Sequence, residues 1–372
     1  MNKKLFYSLV FVGLVRICMV AGFLHGIPEI RYEGKYFHQG ADQLSYFVMA
    51  KSFVDLKPVK TFFPVGFPLI LTPFVIVNGA NEWEDIARPV LYFHSGLAFL
   101  SIFIIGYLTF FLTGRTLISA AAAFLWAIHP YLMYAAFGLH PNARILRTIY
   151  VDHAMWFPML SDPSSVFFVL LATLLFFKSI TQKKYVYFSA LCIGTAMLIR
   201  LPNIVICGIL GAGYFFKKEF SAAVKFGLCS LLVFLPQLFY NYYCYGSMFD
   251  FGSEARFVAD SHRITVVFGV ENLIAYAQLL GGKYSLFTWS MISAGLLVPF
   301  TVIYLRKSQR FSWVIITVLI TGYVLFYLTW WGFKYFPYRF IMPVIPLSII
   351  VMVDLCSIIM QVFSKGLLWF KR

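Results

Sequence analysis

Residues 185–216 read YVYFSALCIGTAMLIRLPNIVICGILGAGYFF. The stretch is too long for one bilayer crossing, which takes roughly 20 apolar residues. It breaks at Arg200-Leu201-Pro202-Asn203, because proline removes a helical N–H and turns the preceding residue away from helix. The pattern predicts two short apolar helices of about 15 residues, each roughly 22 Å long and so shorter than a 30 Å hydrocarbon core. Arg200 at their junction then lies below the membrane surface, where a charge is costly and usually functional. The bland alternative is an arginine that snorkels to lipid headgroups.

The rest of the chain agrees with a membrane setting. Of 372 residues, 61% are hydrophobic and 12% charged, with a mean hydropathy of +0.81. A soluble domain carries about 25% charged residues, so a soluble enzyme, a disordered tail and a disulfide scaffold are excluded. The six cysteines are scattered without a CxxC pair, which supports neither zinc nor a disulfide framework. Further spans are predicted at 5–24, 89–113, 116–138, 163–180, 220–243, 285–305, 311–331 and 340–363. The first is interrupted by Arg16 and no small-residue cleavage site follows it, so it reads as an uncleaved helix rather than a signal peptide. Residues 64–80 are short and hold Pro64, Pro68 and Pro73, and are expected not to cross.

The net charge of +15 would suggest nucleic acid in a soluble protein. Here it reads as topology, and no nucleic-acid partner is expected. With a cytoplasmic N-terminus, the inner side receives Arg115, Lys178/Lys183/Lys184, Lys217/Lys218/Lys225, Arg306/Lys307/Arg310 and Lys365/Lys371/Arg372, as the positive-inside rule requires. The expected architecture is all-α: one multi-pass domain over 1–372 with about ten membrane helices and no soluble domain, since only Ser364–Arg372 follow the last span. Its outer regions are 25–88, 139–162 and 244–284, with a short one at 332–339. Thirteen of the fifteen acids and fourteen Lys/Arg fall on that outer side, a mixture that points to chemistry there on something anionic.

In the first outer region, Leu44, Phe47, Val48 and Val54 recur at helical spacing after Asp42, with Gln43, Ser45 and Lys51 between them. This predicts a short amphipathic helix lying along the membrane surface. The following Phe63-Pro64-Val65-Gly66-Phe67-Pro68 is too rich in proline for an uninterrupted helix and is expected to re-enter the bilayer edge, where irregular backbone must be covered by protein or line a wet cavity. Asp42 reads either as a helix N-cap or as a carboxylate held at the surface as a general base.

Five stretches in order resemble the GT-C glycosyltransferases, the polytopic enzymes that include protein O-mannosyltransferases and the aminoarabinose transferase of lipid A. They are Asp42-Gln43-Leu44-Ser45-Tyr46 with Phe63-Pro64-Val65-Gly66-Phe67-Pro68; Leu160-Ser161-Asp162-Pro163; Leu198-Ile199-Arg200-Leu201-Pro202; Asn241-Tyr242-Tyr243-Cys244-Tyr245-Gly246-Ser247; and Tyr338-Arg339-Phe340 with Pro343 and Pro346. The resemblance covers nearly the whole chain. It implies a multi-pass enzyme of the plasma or inner membrane, with its site on the outer face. Such an enzyme moves a sugar, mannose or another hexose or pentose, from a polyprenyl-phosphate donor to a glycan, lipid or protein hydroxyl, with inversion.

That reaction needs a base, cations for the departing phosphate and a greasy groove for the prenyl tail. The resemblance assigns Asp42 as base. Arg200 and Arg339, flanked by Tyr338, are the phosphate candidates, with Lys60 and Lys334 as weaker ones; the plain reading of Arg339 is an interfacial anchor. Asp162 before Pro163 is either an N-cap with proline at the first helical position or a substrate ligand. His153, beside Asp152, could touch sugar or metal, but two neighbours are not a ligand set. No cofactor is certain. A divalent metal is compatible with the reaction, but many members carry two adjacent acids where Asp42 is followed by Gln43. The rival class is a transporter, or a flippase or polymerase of lipid-linked glycans. Against it, the chain shows no second copy of the Asp42 loop or of the Arg200 break, as transporter repeats would.

Overall fold

The structure is a computed structural model that describes residues 3–26, 31–32, 35–36, 41–61, 63–138, 160–250, 300–303, 305, 309–329 and 341–370. It is helical apart from a two-residue antiparallel ribbon pairing Arg31–Tyr32 with Lys35–Tyr36. The helices are α1 (Lys3–Gly26), α2 (Ala41–Val54), α3 (Gly66–Asn78), α4 (Trp83–Thr113), α5 (Thr116–Gly138), α6 (Ser161–Ser179), α7 (Tyr185–Ile199), α8 (Ile204–Phe216), α9 (Phe220–Tyr245), α10 (Arg310–Leu328) and α11 (Ile345–Phe370). Among the described residues, five helices are long and apolar enough to cross a membrane: α4, α6, α9, α10 and Met342–Ser364, which holds most of α11.

Local chemistry explains the hairpins. At the start of α4, Asp85 closes a capping box with Glu82 and accepts from the amides of Asn81 and Glu82 at 2.8 and 3.0 Å. Those amides, that of Glu82 foremost, hold the Asp85 carboxyl below the usual carboxylate range. Gly114 ends the helix at φ 68, a left-handed turn that glycine adopts without penalty, and α5 folds back along α4. In α5, Pro130 interrupts the helical bonding. Buried Arg16 of α1 meets this point, donating to the Ala127 carbonyl at 2.7 Å and lying 5.5 Å from the Tyr131 ring. The arginine that interrupts the first apolar run is therefore folded inside the bundle.

The core packs α6 against α7 and α7 against α9. Ser189 donates to the Ala172 carbonyl at 2.9 Å across the first of these seams. As the sequence predicts, α7 and α8 are separate short helices, joined through Arg200 and a 3-10 turn at Leu201–Asn203. Non-helical backbone inside a bilayer must find partners within the protein. Here the Arg200 amide donates to the Ala196 carbonyl (2.9 Å) and the Asn203 amide to the Arg200 carbonyl (3.1 Å). The Asn203 side chain ties the break to its neighbours, donating to the Ala196 carbonyl (2.7 Å) and Ser165 Oγ (2.8 Å) and accepting from Tyr323 of α10 (3.1 Å).

Two segments gain detail that the sequence pattern did not carry. The α2 helix exists, but its buried face is Gln43, Tyr46, Phe47, Met49 and Ala50, while Leu44 and Val48 stay 49% and 45% exposed. Apolar residues stand on both sides of this helix, so spacing alone could not choose the inward face. The helix α3 begins inside the proline-rich run, at Gly66, and continues through Pro68 and Pro73. Pro68 falls in the first turn, where its missing N–H has no helical acceptor to lose.

Candidate active site

The α7–α8 break is the centre of a buried polar cluster. Arg200 donates through Nη1 to Asp162 Oδ1, and the two side chains are 9% and 0% exposed. Asp162 is not the N-cap that its proline neighbour suggested. The cap position is Leu160, and Asp162 lies inside the first turn of α6, turned toward Arg200. An ion pair in this setting must have close geometry and further polar neighbours to offset desolvation. Tyr327, Tyr323 and Tyr46 lie within electrostatic range of Arg200, and His94 within range of Asp162. His94 is fully buried, with Nε2 3.2 Å from Ser164 Oγ and its ring stacked 5.7 Å from that of Phe67.

The segment from α2 to the start of α3 is strapped onto the surrounding helices at four points. Tyr46 of α2 places its hydroxyl 3.1 Å from Ser161 Oγ, next to Asp162. The Tyr46 ring packs against Phe63 and Phe67, at 4.6 and 5.0 Å between centroids. The Val65 amide donates to Gln237 Oε1 at 2.8 Å, and Tyr240 donates to the Val59 carbonyl, so α9 grips the loop twice. Gly66 lies directly on the α7 backbone: a Cβ there would be 2.4 Å from the Leu198 carbonyl carbon.

Asp42 stands in the first turn of α2, half-buried, where the helix dipole also favours a carboxylate. It precedes Tyr46 by four residues, so the two lie on one side of the helix with Cβ atoms about 5–6 Å apart. α2 thus carries Asp42 to within a turn of the residue that touches Ser161. On its other side, α2 walls a cavity of about 540 Å³ whose lining includes Leu44, Val48, Lys51, Asp55, Trp83 and Glu84. This cavity runs along the helix from Leu44 to Asp55.

The sequence candidates fare differently. Asp162 and Arg200 meet in one pair, and Asp42 stands one turn from a side chain in contact with that cluster. Lys60 is exposed, on the strap near Cys244 at the end of α9. Arg339, Tyr338, Lys334 and His153 lie outside the described residues. Sequence reasoning did not single out His94, Asn203, Gln237, Tyr323 or Tyr327. A signal existed, since polar side chains inside apolar spans are expensive and mark sites, but attention to charge alone passes over neutral residues.

No protein-family model matches the chain, and no curated protein matches it by sequence. Solved structures do. Oligosaccharyltransferase from Archaeoglobus fulgidus, tethered to an acceptor peptide containing the NVT sequon, aligns with a TM-score of 0.60 at 15% identity, covering 99% of this chain and 51% of that one. The same enzyme in complex with Zn and sulfate gives 0.59 at 16% identity, covering 97% and 50%. Its complex with an inhibitory peptide and a dolichol-phosphate gives 0.57 at 16%, covering 99% and 51%. The chain shares the membrane fold of this archaeal oligosaccharyltransferase. The resemblance read from five short motifs thus has its counterpart in the architecture. The chain spans about half the length of these solved proteins, and at such identity the likeness speaks for the fold alone.

Proposed function

We propose that the chain is an inverting glycosyltransferase that moves a sugar from a polyprenyl-phosphate donor to an acceptor hydroxyl on the non-cytoplasmic face of the plasma or inner membrane. The observation that carries this reading is the strap itself. In a GT-C fold, the helix bearing Asp42 is tied to a buried Arg200–Asp162 pair. Two archaeal structures of that fold contain a dolichol-phosphate and an acceptor peptide, which supports a lipid-linked donor here. The basic inner connections support about ten membrane segments, with α2 at the outer surface.

In the proposed step, the acceptor oxygen attacks the anomeric carbon from the face opposite the phosphate. Asp42 takes the hydroxyl proton as the new C–O bond forms. The bond to the phosphate oxygen breaks, and polyprenyl phosphate leaves with the electron pair. A carboxylate is a weak base, adequate when proton transfer accompanies attack. Negative charge grows on the departing phosphate, so a preorganised cation lowers the barrier. We assign that role to Arg200, oriented by Asp162, with Arg339, Tyr338, Lys60, Lys334 and His153 as further donor or acceptor contacts. We place the acceptor in the cavity beside α2, the helix that carries the base. The sugar is mannose or another hexose or pentose.

One archaeal structure of this fold is in complex with Zn, and a divalent ion is compatible with the reaction here. Among the described residues no three His, Cys, Asp or Glu side chains are grouped to hold one, and Gln43, where a second acid would stand, is fully buried. The step as proposed draws on the protein's own groups. The Asp42→Asn substitution tests it: the purified variant should fold normally and lose about 10²–10⁴-fold of its transfer rate, whereas near-normal turnover would remove Asp42 from the mechanism.

A further inference from the structure

We propose that Tyr46 is a positioning residue for Asp42, acting through its hydroxyl contact with Ser161. This deepens the reading of Asp42 as the base and rests on it. Four observations carry it. Tyr46 is 3% and Ser161 2% exposed, so their contact at 3.1 Å is shielded from water. It joins the first outer loop to the first turn of α6, across 115 residues of chain. Ser161 adjoins Asp162, whose carboxylate holds Arg200, so the contact links the base-bearing helix to the phosphate-side cation. Finally, the Tyr46 ring is held independently by Phe63 and Phe67, so removing the oxygen need not disturb the packing.

The physical argument concerns registration. An isolated helix of α2's length is marginal by itself, and its first turn frays unless something fixes it. Attack by an acceptor oxygen tolerates little misplacement of the base, since an error of about 1 Å can cost on the order of 10²-fold. The Tyr46–Ser161 contact lies one turn from Asp42 and so fixes that turn relative to Arg200.

The test needs a readout that general loosening would not produce. Carbodiimide labelling of the full-length, detergent-purified chain, read by peptide mass spectrometry, reports the access of each carboxylate. Tyr46→Phe should raise the labelling rate of Asp42 several-fold. Labelling of Asp55, beyond the far end of α2, should stay unchanged. Ser161→Ala should give the same increase, and the double variant no more than either single one, as expected for two groups acting through one contact. In transfer from farnesyl-phosphate mannose, Tyr46→Phe should lower kcat about tenfold while the donor KM moves less than twofold. Equal acceleration at Asp42 and Asp55, unchanged labelling at both, or additive single effects would each overturn the proposal. An active Asp42→Asn would instead overturn the base assignment, an outcome that the labelling pattern does not affect.

Discussion

Arg200 and Asp162 are oppositely charged groups in the apolar middle of the chain, and each explains how the other is tolerated. A guanidinium between two short apolar helices would meet a heavy desolvation cost, and so would a carboxylate near the start of α6. Paired, with Asn203 and three tyrosines nearby, both are accommodated. This predicts an asymmetry. Asp162→Asn should destabilise the detergent-purified protein by about 3–5 kcal/mol, because Arg200 loses its carboxylate while staying buried. Adding Arg200→Met should recover much of that loss. If Asp162 were merely a helix cap, asparagine would serve nearly as well, and thermal unfolding would show little change in either variant. Arg200 was recognisable in the sequence because a charge beside a proline in an apolar run is conspicuous. Its partner was visible as a residue but not as a partner, since nothing in one sequence says that residues 162 and 200 meet.

At the scale of elements, the decisive arrangement is the strap from α2 through α3, held by α6, α7 and α9. Helical periodicity foretold α2 within a residue or two, but it carries no choice of inward face, because apolar residues stand on both sides of the helix. Which stripe turns inward was settled by tertiary contacts, Tyr46 to Ser161 and Val65 to Gln237, that have no local signature. Gly66 could be read as part of a turn, but its close approach to Leu198 could not. That approach gives a clean contrast between two glycines. Gly66→Ala would put a Cβ 2.4 Å from the Leu198 carbonyl carbon and 2.5 Å from the Ile199 nitrogen, atoms of backbone that cannot rotate away. It should destabilise by about 1–3 kcal/mol and impair transfer by lifting α3 off α7. Gly208→Ala, within α8 and with nothing inside 4 Å of its Cβ, should be neutral or stabilising by up to about 1 kcal/mol. Thermal unfolding of the two variants side by side reads the difference.

For the whole molecule, composition and charge placement went furthest. Low charge content pointed to a membrane protein, in which five described helices are long and apolar enough to cross, and the basic connections underlie the proposed orientation. The break at Arg200 then yielded two short helices where a single long one would have reversed everything downstream. Those are bulk properties of solvent preference, which a sequence carries openly. The site was legible only in part, because its geometry depends on long-range pairing across α2, α6, α7 and α10. The account's central claim is that this GT-C fold draws its sugar from a lipid phosphate at the outer surface. The most direct measurement incubates the purified chain in parallel with a panel of polyprenyl-phosphate sugars and nucleotide sugars, and follows which donor is consumed. Release of polyprenyl phosphate from the lipid-linked donors, abolished by Asp42→Asn, is the predicted result; consumption of nucleotide sugars alone would contradict the account.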